Sequence, residues 1–130
     1  MTGPIEREFM ADPRAPSAAR AFAKTALPTL LDAPVPTALC DDVELVVSEL
    51  VTNAVRAGSA VVTVSVSLER TRIVLRVRDE AVGWPAQRAA GSDDPGGRGL
   101  PLVSALCATW GVRLAETGKV VFAELAVPGS

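Results

Sequence analysis

The sequence predicts an α+β fold, a two-layer sandwich in which about three helices lie on one face of a mostly antiparallel mixed sheet. Two observations lead to this prediction. Segments that alternate apolar and polar residues, as half-buried strands do, occur in pairs joined by short turns. Segments with apolar residues three and four positions apart, as in amphipathic helices, precede and separate them. The expected order is strand, helix, helix, hairpin, long loop, helix and hairpin.

The N-terminal quarter predicts one strand and one helix. Residues 5–10, read IEREFM, alternate and indicate a short edge strand inside an N-terminal arm of residues 1–16. A helix is expected over about residues 17–32, with Ser17 as its N-cap. Because proline lacks the backbone N–H and crowds the preceding turn, Pro28 predicts a kink or an early end.

The central helix carries a polar stripe on an apolar element. It is expected to begin after a cap at Thr37, to include VELVVSELVTNAVR at residues 43–56, and to end at Gly58-Ser59. Helical spacing places Glu49, Asn53 and Arg56 on one face, opposite a stripe of valine, leucine and alanine. Asparagine is a mediocre helix former, so its position within this helix indicates a use outside the helix.

The C-terminal half predicts two hairpins separated by a loop and a helix. The expected elements are strands at 61–68 and 72–78, a loop at 79–97, a helix from 98–100 to about 110, and strands at 112–115 and 120–126. A loop of that length inside a small domain tends to be functional.

Composition excludes several functional classes. A chain of 130 residues fits one domain that spans residues 1–130, and its net charge of −2 disfavours a surface for direct nucleic-acid binding. It has no apolar run of about 18 residues and no signal-like N-terminus, so the expectation is a cytoplasmic protein without membrane contact. Two cysteines and no histidine leave neither a zinc site nor a histidine-based triad.

Three short motifs stand at informative positions. They are Glu49-x-x-x-Asn53 on the central helix, DEAVGWP at residues 79–85 where a strand ends, and GGRGL at residues 96–100 before a helix. Taken singly, each has an ordinary interpretation: a solvated helix face, an aspartate that starts a turn, and a glycine-rich helix start. The ordered set is more specific than any one of them.

In this order the motifs resemble the nucleotide-binding fold shared by histidine kinases, gyrase-type topoisomerases, the Hsp90 chaperones and the MutL repair proteins. The closest likeness is to a small single-domain branch, the anti-sigma factor serine kinases and their relatives in actinobacteria. Four segments carry it and cover most of residues 40–127, namely SELVTNAVR, RVRDEAVGWP, GGRGLPLVSAL and GKVVFAEL.

The resemblance assigns the phosphate side of an ATP site to the central helix. Asn53 would hold Mg²⁺ through its amide oxygen, and Glu49 would act as general base on water or on a substrate hydroxyl. Arg56, on the same face, would join the nucleotide contacts. ATP and Mg²⁺ are the cofactors that this implies.

The resemblance places the adenine and the remaining phosphate contacts in the second and third motifs. Asp79 would accept a hydrogen bond from the exocyclic amine of adenine, and Gly83 would let the backbone approach the ring. Residues 84–99 would form a lid over bound ATP. Backbone N–H groups at a helix N-terminus suit phosphate, and the residues implied there are Gly97, Arg98, Gly99 and Leu100.

Three functions remain open at this point. The resemblance implies a serine/threonine protein kinase that phosphorylates an anti-sigma antagonist, sequesters a sigma factor, or does both. The alternative is a non-catalytic regulatory module with weakened or lost ATP binding, and departures from the family pattern at Ala57, Ala81 and Val120 favour it. At these positions relatives often carry His, Gly and Thr. The third is a plain ATPase without a protein substrate, and a homodimer is compatible with each.

Overall fold

A five-stranded sheet with helices on one face makes up the part of the chain described by the structure, a computed structural model. Residues 3–80 and 99–128 are described. The strands are ordered β1-β2-β3-β5-β4, and all four pairings are antiparallel. The elements are β1 (Ile5–Met10), α1 (Ala15–Leu31), α2 (Thr37–Arg56), β2 (Val61–Glu69), β3 (Arg72–Asp79), α3 (Gly99–Leu106), β4 (Thr109–Leu114) and β5 (Lys119–Ala126). The predicted α+β sandwich is confirmed.

The alternating strands place their apolar residues on the helix-covered face. The register of β2 with β3 and of β3 with β5 sets paired residues side by side, so every second residue of each strand faces the same side of the sheet. The buried residues on this face are Val62, Val64, Val66, Ile73, Leu75, Val77, Val121, Ala123 and Leu125. The arginines of β3, at positions 72, 76 and 78, lie on the opposite face. A reversal at Arg70, whose φ is 59°, closes the β2–β3 hairpin.

Helices α1 and α2 pack against each other and against this face. In α2 the buried residues recur with helical spacing, and they are Leu39, Val43, Val46, Val47, Leu50, Val51 and Ala54. Helix α3 packs against α2 and β4. Aromatic residues are few, so valine, leucine and alanine fill most of the core.

The two long helices begin and end differently from the prediction. Ser17 lies inside α1, which begins at Ala15, and Thr37 is the first residue of α2; neither helix has a side-chain cap at its N-terminus. Proline replaces the cap, because Pro16 in the first turn of α1 fixes a helical φ where an N–H is not needed. Pro28 does not end α1, which continues to Leu31.

The third helix is shorter than the sequence indicates. It ends at Leu106, and Trp110 belongs to β4 rather than to the helix. Thr109 and Trp110 favour strands, and Trp110 pairs with Ala123 in the sheet. No helix among residues 3–80 and 99–128 is long and apolar enough to cross a membrane.

Candidate functional site

The C-terminal turns of α2 and the last residue of β3 lie at the same end of the molecule. After α2 ends at Arg56, a short connection leads into β2, where Val62 pairs with Asp79. The backbone N–H of Glu80 donates a hydrogen bond of 3.1 Å to Ser59 Oγ in that connection. The sequence motifs on α2 and at the end of β3 are therefore brought to one end of the sheet.

Asp79 is a buried carboxylate that faces the helix layer. It is the last residue of β3, and its side chain is 2% exposed. Lys119 is its partner in the register of β3 with β5, and Lys119 Nζ lies 3.0 Å from Asp79 Oδ1. The lysine side chain is 5% exposed, so the two charges form an ion pair that is almost entirely withdrawn from water. A buried carboxylate of this kind is held in a fixed direction, as a recognition group requires.

Gly118 brings the start of β5 against the end of β3. Its φ is +79°, which side chains rarely tolerate, and a Cβ there would collide with the carbonyl oxygen of Asp79 and with the Cα of Glu80. The backbone N–H of Ala115 donates to the Gly118 carbonyl and closes the turn before β5. Lys119 is thereby set directly beside Asp79.

Lys119 is the site residue that the sequence reasoning missed. Val120, one of the departures from the family pattern, pairs with Arg78 on the opposite face of the sheet, whereas Lys119 pairs with Asp79. The signal was present in the alternation of β5, whose inward positions are 119, 121, 123 and 125. A lysine at the first of these positions needs a buried acidic partner.

Glu49 and Asn53 lie one turn apart on α2 and are half-buried, whereas Arg56 is exposed. Ion pairs found between described residues involve neither Glu49 nor Arg56. Thr52, a polar neighbour on the same helix, uses its hydroxyl to donate a hydrogen bond to the Ser48 carbonyl. The structure therefore keeps the predicted carboxylate, amide and cation on one surface of the helix.

The donor set on α2 fits Mg²⁺ bound largely by water and phosphate. Mg²⁺ prefers hard oxygen ligands and keeps several of its waters, so an Asn53 amide oxygen with the Glu49 carboxylate one turn away is a suitable protein contribution. In the described ranges no group of three or more His, Cys, Asp or Glu residues could hold a metal ion. A cage built from several protein carboxylates is not found there.

Part of the predicted site lies outside the described residues. This applies to Gly83, Gly97, Arg98, Ala81 and residues 84–98 of the predicted lid. Gly99 and Leu100 are the first two residues of α3, so the predicted helix start is confirmed.

Comparisons with known proteins identify the family. A family model described as the histidine kinase-like ATPase domain matches residues 9–124. Among solved structures, the Acinetobacter baumannii histidine kinase AdeS is similar with a TM-score of 0.54 and 17% sequence identity, over 98% of this chain and 70% of that chain. No curated protein matches this sequence.

The architecture and the family match agree. The likeness to AdeS supports the fold, an antiparallel sheet with helices on one face. Domains of the matched family bind ATP, generally together with Mg²⁺. Because the family match extends over most of the sequence, the chain belongs to the histidine kinase-like ATPase domain family.

Proposed function

We propose that this chain is an ATP-binding regulatory protein of the anti-sigma factor serine kinase type, which phosphorylates an anti-sigma antagonist, sequesters a sigma factor, or does both. The observation that carries the proposal is the convergence of Glu49 and Asn53 with the buried Asp79 at one end of the sheet. Family membership supports ATP binding, and the sequence motifs support the kinase branch.

In this proposal, different residues contact the purine, the phosphates and the substrate hydroxyl. The Asp79 carboxylate accepts a hydrogen bond from the adenine amine at the buried end of the site. Asn53 holds Mg²⁺, which when bound neutralises phosphate charge. Glu49, one turn away, accepts the proton of the attacking hydroxyl, a contribution typically of about 10²–10⁴ in rate. Arg56 adds a cation beside the phosphates.

Direct calorimetric titration with ATP and Mg²⁺ tests the nucleotide site. The wild type is expected to bind in the micromolar range, and Asn53→Ala is expected to lose most of this affinity. Asp41→Ala, at the exposed opposite end of α2, is the control and should bind as the wild type does. Absence of binding at millimolar ATP, or unchanged binding by Asn53→Ala, would contradict the proposal.

A phosphoryl-transfer assay tests the catalytic role. Glu49→Ala should keep nucleotide affinity and lose transfer to a serine-bearing antagonist by about a hundredfold or more. Glu44→Ala is the matched control, because Glu44 is also a half-buried glutamate on α2, where it accepts a hydrogen bond from Cys40 Sγ. Equal transfer by both variants would remove Glu49 from the mechanism.

One observation favours a second candidate, a non-catalytic protein-binding module with weakened ATP affinity. The Asp79 carboxylate already contacts the Lys119 ammonium at 3.0 Å, and a charged donor binds a carboxylate more strongly than a neutral amine does. This candidate gains support if the protein binds a sigma factor or an antagonist while the titration shows no nucleotide binding.

A further inference from the structure

The buried ion pair of Asp79 and Lys119 changes what the purine end of the proposed site can recognise. A carboxylate alone only accepts hydrogen bonds, whereas an ammonium only donates them. Here the two groups lie 3.0 Å apart and are both buried, in register at the end of neighbouring strands. The pair therefore offers an acceptor and a donor side by side.

The edges of the two purine classes carry opposite patterns. A 6-aminopurine donates from its amino group and accepts at N1, whereas a 6-oxopurine accepts at its oxygen and donates from N1–H. If the site held only a buried carboxylate, the 6-oxo group would face another hydrogen-bond acceptor. A site built to accept a hydrogen bond from a substrate N–H discriminates against an analogue without that donor by a factor of about 10⁴–10⁵. A neighbouring ammonium on a flexible stem, with three donors, removes that conflict.

We infer that Lys119 is a specificity-determining residue which lets the purine site accept 6-oxopurine as well as 6-aminopurine nucleoside triphosphates. With the adenine ring, Asp79 accepts a hydrogen bond from the 6-amino group, a contact that does not need Lys119. With a 6-oxopurine, Lys119 donates to the 6-oxygen, which would otherwise face the Asp79 carboxylate alone. The inference rests on the proposed nucleotide site and specifies its substrate class.

Two nucleotides test it on the wild-type protein. Inosine triphosphate differs from ATP at the 6-position and at N1, so the ratio of the two dissociation constants isolates the contacts of this edge. With Mg²⁺ present, inosine triphosphate is expected to bind within about tenfold of ATP. Binding of ATP with inosine triphosphate more than about a hundredfold weaker would overturn this inference and leave the proposed function standing. Absence of binding by either nucleotide at millimolar concentration would overturn both.

Substitution of the lysine supplies the second arm. In Lys119→Met the 6-oxo group loses its donor, so the preference for ATP over inosine triphosphate should rise by about tenfold or more. A purely structural role of Lys119 would weaken both nucleotides equally and leave the ratio unchanged, which would contradict the inference. The control is Arg72→Met on the opposite face of the sheet, which should leave the ratio as in the wild type. If Lys119→Met does not fold, the ratio of the dissociation constants of inosine triphosphate and ATP for the wild-type protein tests the inference by itself.

Discussion

Two of the ion pairs in the sheet have the same length and should differ greatly in their contribution to stability. Lys119–Asp79 and Arg72–Glu124 each span 3.0 Å, but the side chains of the first are 5% and 2% exposed and those of the second 43% and 29%. Removal of one partner from a buried pair leaves an uncompensated charge and costs about 3–5 kcal/mol. An exposed pair contributes about 0.2–1 kcal/mol.

Lys119→Met is therefore expected to lower the free energy of unfolding by about 3–5 kcal/mol. For a domain of this size, that loss corresponds to a fall in Tm on the order of 10–20 °C. Arg72→Met should lose less than about 1 kcal/mol. Urea unfolding followed by circular dichroism measures both, at one pH and one salt concentration.

A double variant separates the ion pair from the packing of the lysine stem. Asp79→Leu combined with Lys119→Met replaces both charges by apolar groups, and such a replacement is often neutral or stabilising. The double variant should thus be more stable than Lys119→Met alone, with a coupling energy of about 3 kcal/mol. Equal losses for Lys119→Met and Arg72→Met, or additive effects of the two core substitutions, would refute the account of a buried pair.

Three further predictions concern the rest of the sheet and the thiols. Gly111→Ala should destabilise the fold, because a Cβ there would lie 2.8 Å from the Phe122 ring, and Phe122→Leu should restore part of the loss in urea unfolding. Burial raises the pKa of Cys107 from 9.0 to about 11, so alkylation of its peptide at pH 8, followed by mass spectrometry, should be about a hundredfold slower in the folded protein than in denaturant. A hydrogen bond from Arg76 lowers the pKa of Glu69 below 4.5, so this pair stabilises the fold above that pH and loses its effect as the pH falls through the folded-state pKa. The stability difference between wild type and Arg76→Met should be below about 1 kcal/mol at pH 7, and a difference that persists at pH 2 would contradict this assignment.

The strand pattern predicts the sheet well because each strand repeats a simple rule. Alternation alone places Ile73, Leu75 and Val77 on the buried face, and the structure confirms this. Helix ends are less predictable, because a side-chain cap, a proline in the first turn or water can each accommodate the first backbone N–H groups of a helix. Ser17 and Thr37 are good caps by composition, yet both helices begin without a side-chain cap.

In the candidate site too, the part formed within one helix is predictable from the sequence, whereas the part formed between distant strands is not. One helix carries Glu49 and Asn53, so their shared face follows from sequence spacing. The contact between Asp79 and Lys119 depends on the register of two strands that are 40 residues apart. Spacing within a segment cannot give that register, so the sequence predicts Asp79 as a site residue without identifying Lys119 as its partner.

The charges of strand β1 decide which kind of strand could extend the sheet. β1 lies at one edge, and its exposed centre reads Glu6-Arg7-Glu8. In an antiparallel pairing of two copies about a two-fold axis, the central residue meets its own copy across the interface. Centring on Glu6, Arg7 or Glu8 sets like charges opposite each other in every case, which is destabilising. The edge thus disfavours addition of a second copy and remains suited to a strand with a different charge pattern.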